Sequence, residues 1–109
     1  MVAMNDIQAV VDRIADAYDP DRIVLFGSHA RGTATSDSDV DLLVILAFEG
    51  KPFWKSLEIT NRVNPPFAVD LLARRPDDTQ RRYAQGDPLI REALDQGRVL
   101  YERRHPRMD

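Results

Sequence analysis

Five residues in this sequence have the types and spacing for phosphate chemistry. Gly27-Ser28 is followed, ten residues later, by Asp39-Val40-Asp41, and Asp70 interrupts the apolar stretch Phe67-Ala68-Val69-Asp70-Leu71-Leu72. Along a strand, successive side chains point to opposite faces, so Asp39 and Asp41 project from the same one. Two ionised carboxylates about 4 Å apart repel by about 4 kcal/mol at an effective dielectric of about 20. A fold keeps such a pair when a proton or a cation lies between them. All-oxygen sites favour hard cations, with Mg²⁺ first among those that work with phosphates. Gly27-Ser28 offers backbone N–H groups and a hydroxyl where the chain can wrap an anion. A phosphate cradle beside a carboxylate pair is a site for nucleotide chemistry.

The elements that must position these residues can be read around them. Residues 22–26 are an apolar strand running into Gly27-Ser28. Residues 27–38 are too few for a crossover helix but have room for one turn around His29 to Arg31. The next strand is therefore predicted antiparallel to the first, which returns Asp39 and Asp41 to the Gly27-Ser28 end. Residues 40–47 are apolar on both faces, as in a strand covered by helices. Pro52 suits the first position of a helix over 53–63, with Phe53, Trp54, Leu57 and Val63 predicted inward, and Asn64-Pro65-Pro66 ends it. The third strand, 67–72, should then lie parallel to the second through a right-handed crossover, with Asp70 beside Asp39 and Asp41.

The remaining segments supply the frame. Residues 5–18 have helical periodicity, with Ile7, Val10, Val11, Ile14, Ala15 and Tyr18 on one face. Asn5 and Gln8 resemble a capping box, and Pro20 closes the helix. A polar loop at 74–78 precedes short helices at 79–85 and 89–96. Gly97 ends the second of these, ahead of a strand at 98–101. Residues 103–109 are expected to form a flexible tail. There is no repeat, low-complexity tract or internal linker, so residues 1–102 are expected to form one domain. The predicted class is α/β of the α+β type, a small mixed sheet flanked by helices.

With 109 residues, 43% hydrophobic and 30% charged, the chain has material for one core. It has no cysteine, which removes disulfides, thiolate metal sites and cysteine nucleophiles and fits a reducing compartment. No apolar run approaches the roughly 20 residues of a membrane span, and the start lacks a secretory pattern, so a cytoplasmic protein is expected. The net charge of −3 argues against broad nucleic-acid binding. Nine arginines nevertheless crowd the last third, from Arg74 to Arg107. Either they pair with Asp77, Asp78, Glu92 and Glu102 on a solvated surface, or some of them meet phosphates or an acidic partner.

Each candidate also has a plainer reading. Asp39 and Asp41 could cap a turn beside Ser36 and Ser38. Asp70, a carboxylate in an apolar strand, needs a metal or an ion pair, for which Arg74 and Arg75 are at hand. Arg31 either touches phosphate or braces the loop through Asp37. Asp37 has a loop role, Gly32 relieves the backbone, and His29 is a surface or packing residue, since Mg²⁺ prefers oxygen.

The run G-S-H-A-R-G-T-A-T-S-D-S-D-V-D-L-L-V resembles the signature of the polymerase-beta-type nucleotidyltransferase superfamily. It is most similar to the smallest branch, the minimal nucleotidyltransferases, which are partners of HEPN toxins in prokaryotic toxin–antitoxin pairs. The likeness extends from the first helix to the closing Gly97-Arg98-Val99-Leu100-Tyr101-Glu102, but only the block from Gly27 to Asp41 and Asp70 are specific. The resemblance implies a nucleotidyltransferase fold and makes Asp39 and Asp41 ligands of Mg²⁺, two ions in all. Gly27 and Ser28, with Arg31 as a further candidate, would bind the phosphates of ATP. Asp70 would be the third carboxylate, at the metal and at the attacking hydroxyl. The implied reaction transfers AMP to a hydroxyl of a HEPN toxin held in a hetero-oligomer. So short a chain is expected to find its acceptor on another protein. The alternatives are a non-catalytic antitoxin that acts sterically, and a transferase working on a small molecule or an RNA end.

Overall fold

Alternation along the strand that starts after Asp39 sorts the molecule into layers. Val40, Leu42 and Val44 are buried in one apolar cluster, and Leu43 and Ile45 in another. The computed structural model describes residues 2–104. Its elements are α1 (Met4–Tyr18), β1 (Arg22–Phe26), α2 (Ser28–Arg31), β2 (Val40–Ile45), α3 (Pro52–Val63), β3 (Val69–Arg74), α4 (Pro76–Ala84), α5 (Pro88–Gln96) and β4 (Arg98–Glu102). The strands form one sheet in the order β3-β2-β1-β4. β1 is antiparallel to both β2 and β4, and β2 is parallel to β3. The sheet is thus small and mixed, flanked by helices, as predicted.

On one face, α1 buries Ile7, Val10, Val11 and Ile14 against Ile23, Leu25, Val40, Leu42 and Val44, joined by Ile59 and Val63 of α3 and by Leu71 and Ala73 of β3. Each such aliphatic side chain contributes roughly 1.5–3 kcal/mol on full burial, which outweighs the modest propensity of this β-branched-rich helix. On the other face, Ile90 and Ala93 of α5 pack on Val24, Phe26, Leu43 and Ile45. Among the described residues no helix is long and apolar enough to cross a membrane.

Several elements differ from the predicted ones. α1 starts from an Ala3 cap, and Asp6, not Gln8, reaches back to its N–H at 3.3 Å; Asn5 lies inside the helix. The phase of α3 differs from that predicted. Phe53 and Trp54 are 66% and 63% exposed and Leu57 is 42% exposed, while Ile59 and Val63 turn inward. The cause is on the opposite flank. Ser56 Oγ accepts the Ala73 N–H at 2.9 Å, so α3 presents its Ser56–Ile59–Val63 side to the edge of β3. β3 begins two residues later than predicted and runs through Arg74, in step with β2 to Ile45. Pro76 starts α4 inside the expected loop, since proline's missing N–H costs nothing in a first turn. Arg103 is not part of a free tail. Its guanidinium bonds Asp21 Oδ1 at 2.9 Å and the Asp19 carbonyl. Residues 105–109 of the expected tail lie outside the described residues.

α5 is fixed at both ends. The Asp87 carboxylate accepts the N–H groups of Leu89 at 3.0 Å and Ile90 at 3.2 Å. At the other end, Gly97 lies so close to β1 that an added Cβ would stand 2.2 Å from Ala93 O, 2.6 Å from Val24 Cγ1 and 2.8 Å from Leu25 O. Gly97→Ala should therefore cost about 1–3 kcal/mol through overpacking. Urea unfolding monitored by circular dichroism tests this. Gly32→Ala, at φ 77 in open space, bears backbone strain alone and should cost only about 1–2 kcal/mol.

Candidate active site

Antiparallel pairing sets Phe26 opposite Asp41, so the residue after Phe26 lies against the Asp41 side chain. That residue is Gly27, buried and at φ 75. A Cβ there would stand 2.1 Å from Asp41 Oδ2 and 3.1 Å from its Cγ. Glycine is required twice, for the left-handed backbone and for the space that the carboxylate fills. The chain then winds into α2, whose first intrahelical bonds run from the N–H groups of Ala30 and Arg31 to Gly27 O, both at 3.1 Å. The amides of Ser28 and His29 precede those bonds, at the turn that faces Asp41.

The loop from α2 to β2 closes without the aspartates. Ser38 Oγ accepts the Thr35 N–H at 2.9 Å, and the Ser38 N–H bonds Thr35 O at 3.1 Å. Asp37 contributes its N–H, to Thr35 Oγ1 at 3.3 Å. The turn-capping reading of Asp39 and Asp41 therefore fails, since the hydroxyls do that work. His29 Nε2 lies 3.3 Å from Ser38 O and ties α2 to the loop, a packing role as expected.

Asp41 shares its strand face with Leu43 and Ile45, the face that α5 covers. Asp70 is its register partner on parallel β3 and lies on the same face as Leu72. Asp39 comes two residues before Asp41, exposed just ahead of β2. The topology thus brings Gly27, Ser28, Asp39, Asp41 and Asp70 to one end of one sheet face. Asp70 is exposed on the edge strand, so the argument that burial forces a partner on it does not hold. Neither arginine answers it. Arg74 Nη1 donates to Ala73 O at 2.8 Å, and Arg75 Nη1 donates to Gly50 O at 2.9 Å while stacking on Phe48.

Partial burial raises the Asp41 pKa above the ordinary 3.8. The charges of Asp70, Asp39 and Glu92 add to the rise, in that order, and nearby His29 opposes it. Glu92 was expected only as a partner for the C-terminal arginines. It projects from α5 and pairs instead with Arg31, Nη1 to Oε2 at 2.8 Å. Arg31 thus braces α2 against α5 and not against Asp37. The C-terminal arginines fit the solvated reading where they pair, Arg81 and Arg82 with Asp78 and Arg82 with Asp87. No local pattern announces the Glu92 contact, because its partner is 61 positions away.

The residues fit a hard cation in donor chemistry: carboxylate oxygens that repel one another, beside a backbone cradle. Among the described residues no three His, Asp or Glu side chains are gathered as a complete metal-binding set. Mg²⁺ usually binds through one or two carboxylates plus substrate phosphates. A cleft of about 800 Å³ at the far end of the sheet is lined by Asp21, Arg22, Ile45, Tyr83 and Arg103. Its charged groups are paired, Arg22 with Glu102 and Arg103 with Asp21, and the carboxylate cluster is elsewhere.

The family model described as the nucleotidyltransferase domain matches residues 7–100. No curated protein is similar enough to match the chain. Among solved structures, one similar to it is a protein of Sulfolobus solfataricus assigned as a nucleotidyltransferase, at 19% identity and a TM-score of 0.64, covering 91% of this chain and 79% of that one. A toxin–antitoxin complex with AMP-PNP matches at 20% identity and a TM-score of 0.55, covering 87% and 73%. A tri-AMPylated HEPN toxin of Shewanella oneidensis in complex with its MNT antitoxin matches at 18% and 0.50, covering 87% and 69%. At these identities the likeness is one of fold.

The raised Asp41 pKa has a consequence for stability. Because the folded state holds this proton more tightly than the unfolded chain, Asp41 supports folding fully below about pH 3.8, and that support is lost as pH rises through its elevated value. Asp41→Asn, which removes the charge and keeps the shape, should therefore raise Tm at pH 7 without metal. The gain should shrink towards zero near pH 4. Thermal unfolding of both proteins across pH 4–8 tests this.

Proposed function

The chain belongs to the nucleotidyltransferase domain family, and on that premise we propose that it transfers AMP from ATP to a hydroxyl side chain of a HEPN-type toxin and so neutralises it. The observation that carries the reading is the interlock of Gly27 with Asp41, with Asp70 in register beside them. A glycine turn that presents backbone N–H groups is pressed against a carboxylate whose charge is already disfavoured. Triphosphate and cation together relieve both features.

In this reading Gly27 and Ser28 hold the β- and γ-phosphates, helped by Arg31. Asp39 and Asp41 are the residues that would hold Mg²⁺, with Asp70 beside them as a further carboxylate. A cation held there would supply neutralisation of the charge that develops on the phosphate oxygens during in-line displacement. The acceptor oxygen attacks the α-phosphorus and forms the new P–O bond. The bond from the α-phosphorus to the α,β-bridging oxygen breaks, and pyrophosphate leaves with the electron pair. Asp70, exposed at the mouth of the site, takes the hydroxyl proton.

The choice of acceptor draws on the similar complexes, one holding AMP-PNP and one a tri-AMPylated HEPN toxin with its MNT antitoxin. The aromatic pair Phe53–Trp54, in edge-to-face contact at 4.9 Å and exposed, offers apolar area of the kind used in protein interfaces. The same pair favours the second reading, a purely steric antitoxin.

One experiment separates the two readings. The cognate toxin is incubated with this protein, ATP and Mg²⁺, and its intact mass is followed alongside its RNase activity. The wild type should add AMP and silence the toxin. Asp39→Asn with Asp41→Asn should lower the transfer rate by more than about a hundredfold while leaving complex formation intact. Full neutralisation by the variant without any adduct would establish steric action instead.

A further inference from the structure

Arg31 is carried by a short helix with little apolar anchorage. α2 has four residues, none of them buried, and its apolar anchor is Ala30, small and only half-buried. Among the described residues its side-chain ties are His29 to Ser38 O at 3.3 Å and Arg31 to Glu92 at 2.8 Å. Glu92 stands on a firmer element. α5 is seated on β1 by Ile90 and Ala93, capped by Asp87, and butted against Val24 and Leu25 at Gly97. It covers the sheet face from which Asp41 and Asp70 project, and the Glu92 charge is felt at Asp41.

We propose that Glu92 is a positioning residue, which holds the Arg31 guanidinium at the mouth of the Gly27–Asp41 site in the orientation that meets the β- and γ-phosphates of a nucleoside triphosphate. The inference rests on the nucleotide reading of the site given above. One arm of the guanidinium, Nη1, is engaged by Glu92, and Nη2 and Nε remain to bind phosphate oxygens. A long arginine side chain left free would lose its rotamer freedom on binding; one already held does not. This also accounts for an acidic residue beside a site meant for polyanions. Alone it would repel triphosphate, but paired with Arg31 it fixes the cation that attracts it.

The two accounts of Glu92 predict opposite signs. The test is isothermal titration calorimetry of the full chain with Mg²⁺ and α,β-methylene-ATP, in which the bond that would break is blocked. If Glu92 positions Arg31, Glu92→Ala weakens binding about tenfold, as does Arg31→Ala, and the double variant is no weaker than either alone. Glu92→Gln, whose amide oxygen still accepts from Arg31, falls between Glu92→Ala and the wild type. AMP, which lacks the β- and γ-phosphates, binds all five proteins alike, and this also shows that the variants are folded. Glu92→Ala binding the analogue as tightly as the wild type, or more tightly, overturns the role, and so do effects that multiply to about a hundredfold in the double variant. Failure of the wild type to bind the analogue at all would overturn the nucleotide reading and this role with it. Binding by the wild type with Glu92→Ala unchanged removes the role alone.

Discussion

The contact on which the rest of this structure depends is the approach of the Asp41 carboxylate to the Cα of Gly27. Any side chain at position 27 would be strained at φ 75 and would have to displace the Asp41 carboxylate, whose Oδ2 occupies the space of its Cβ. Strand pairing creates that contact. β1 and β2 are joined by a segment too short to cross the sheet, so they run antiparallel and bring Gly27 and Asp41 to the same end. Parallel pairing of β2 with β3 then sets Asp70 next to Asp41. Each step follows from connection length and hydrophobic pattern, and together they gather residues from three parts of the chain.

Concentrating acids in this way has a thermodynamic cost, which the core offsets. Asp41 is partly desolvated and surrounded by Asp70, Asp39 and Glu92, so its ionised form opposes folding at neutral pH. The stability that tolerates this comes from two apolar layers, α1 and α3 on one face and α5 on the other. A site that is electrostatically unfavourable when empty gains most from binding a cation, because the repulsion is relieved only in the bound state. The rigid seat of α5 has a second consequence. It gives Glu92 a fixed position from which to pair with Arg31 of α2.

The parts legible in the sequence are those written in local pattern. The strand before Gly27, the return of Asp39 and Asp41, the crossover to Asp70 and the glycine stop at Gly97 all came from periodicity and punctuation within a few residues. The parts that were not legible depend on contacts distant in sequence. Phe53, Trp54 and Leu57 have the spacing of a buried stripe, but the phase of α3 is set by Ser56 bonding the edge of β3 and by Ile59 and Val63 beneath. Local periodicity ranks apolar residues and cannot see which flank the sheet occupies. Arg31 and Glu92 are far apart in the chain, as are Arg103 and Asp21, so both pairs emerge only from the packed fold. Asp70 lies beside Asp41 as its strand position implies, but on an exposed edge strand, where burial does not force a partner on it.

The central claim is that the Gly27–Asp41 end of the sheet binds a metal–nucleotide pair. Thermal unfolding of the wild type and of the Asp39→Asn/Asp41→Asn variant, each with and without Mg²⁺ and ATP, tests it most directly. A ligand at a hundredfold excess over its Kd stabilises the native state by about 2.7 kcal/mol, which for a domain of this size is a rise in Tm of roughly 10–20 °C. The account predicts that rise for the wild type with both ligands present and none for the variant. An equal shift in both proteins would place binding elsewhere, and no shift in either at millimolar ligand would contradict the claim.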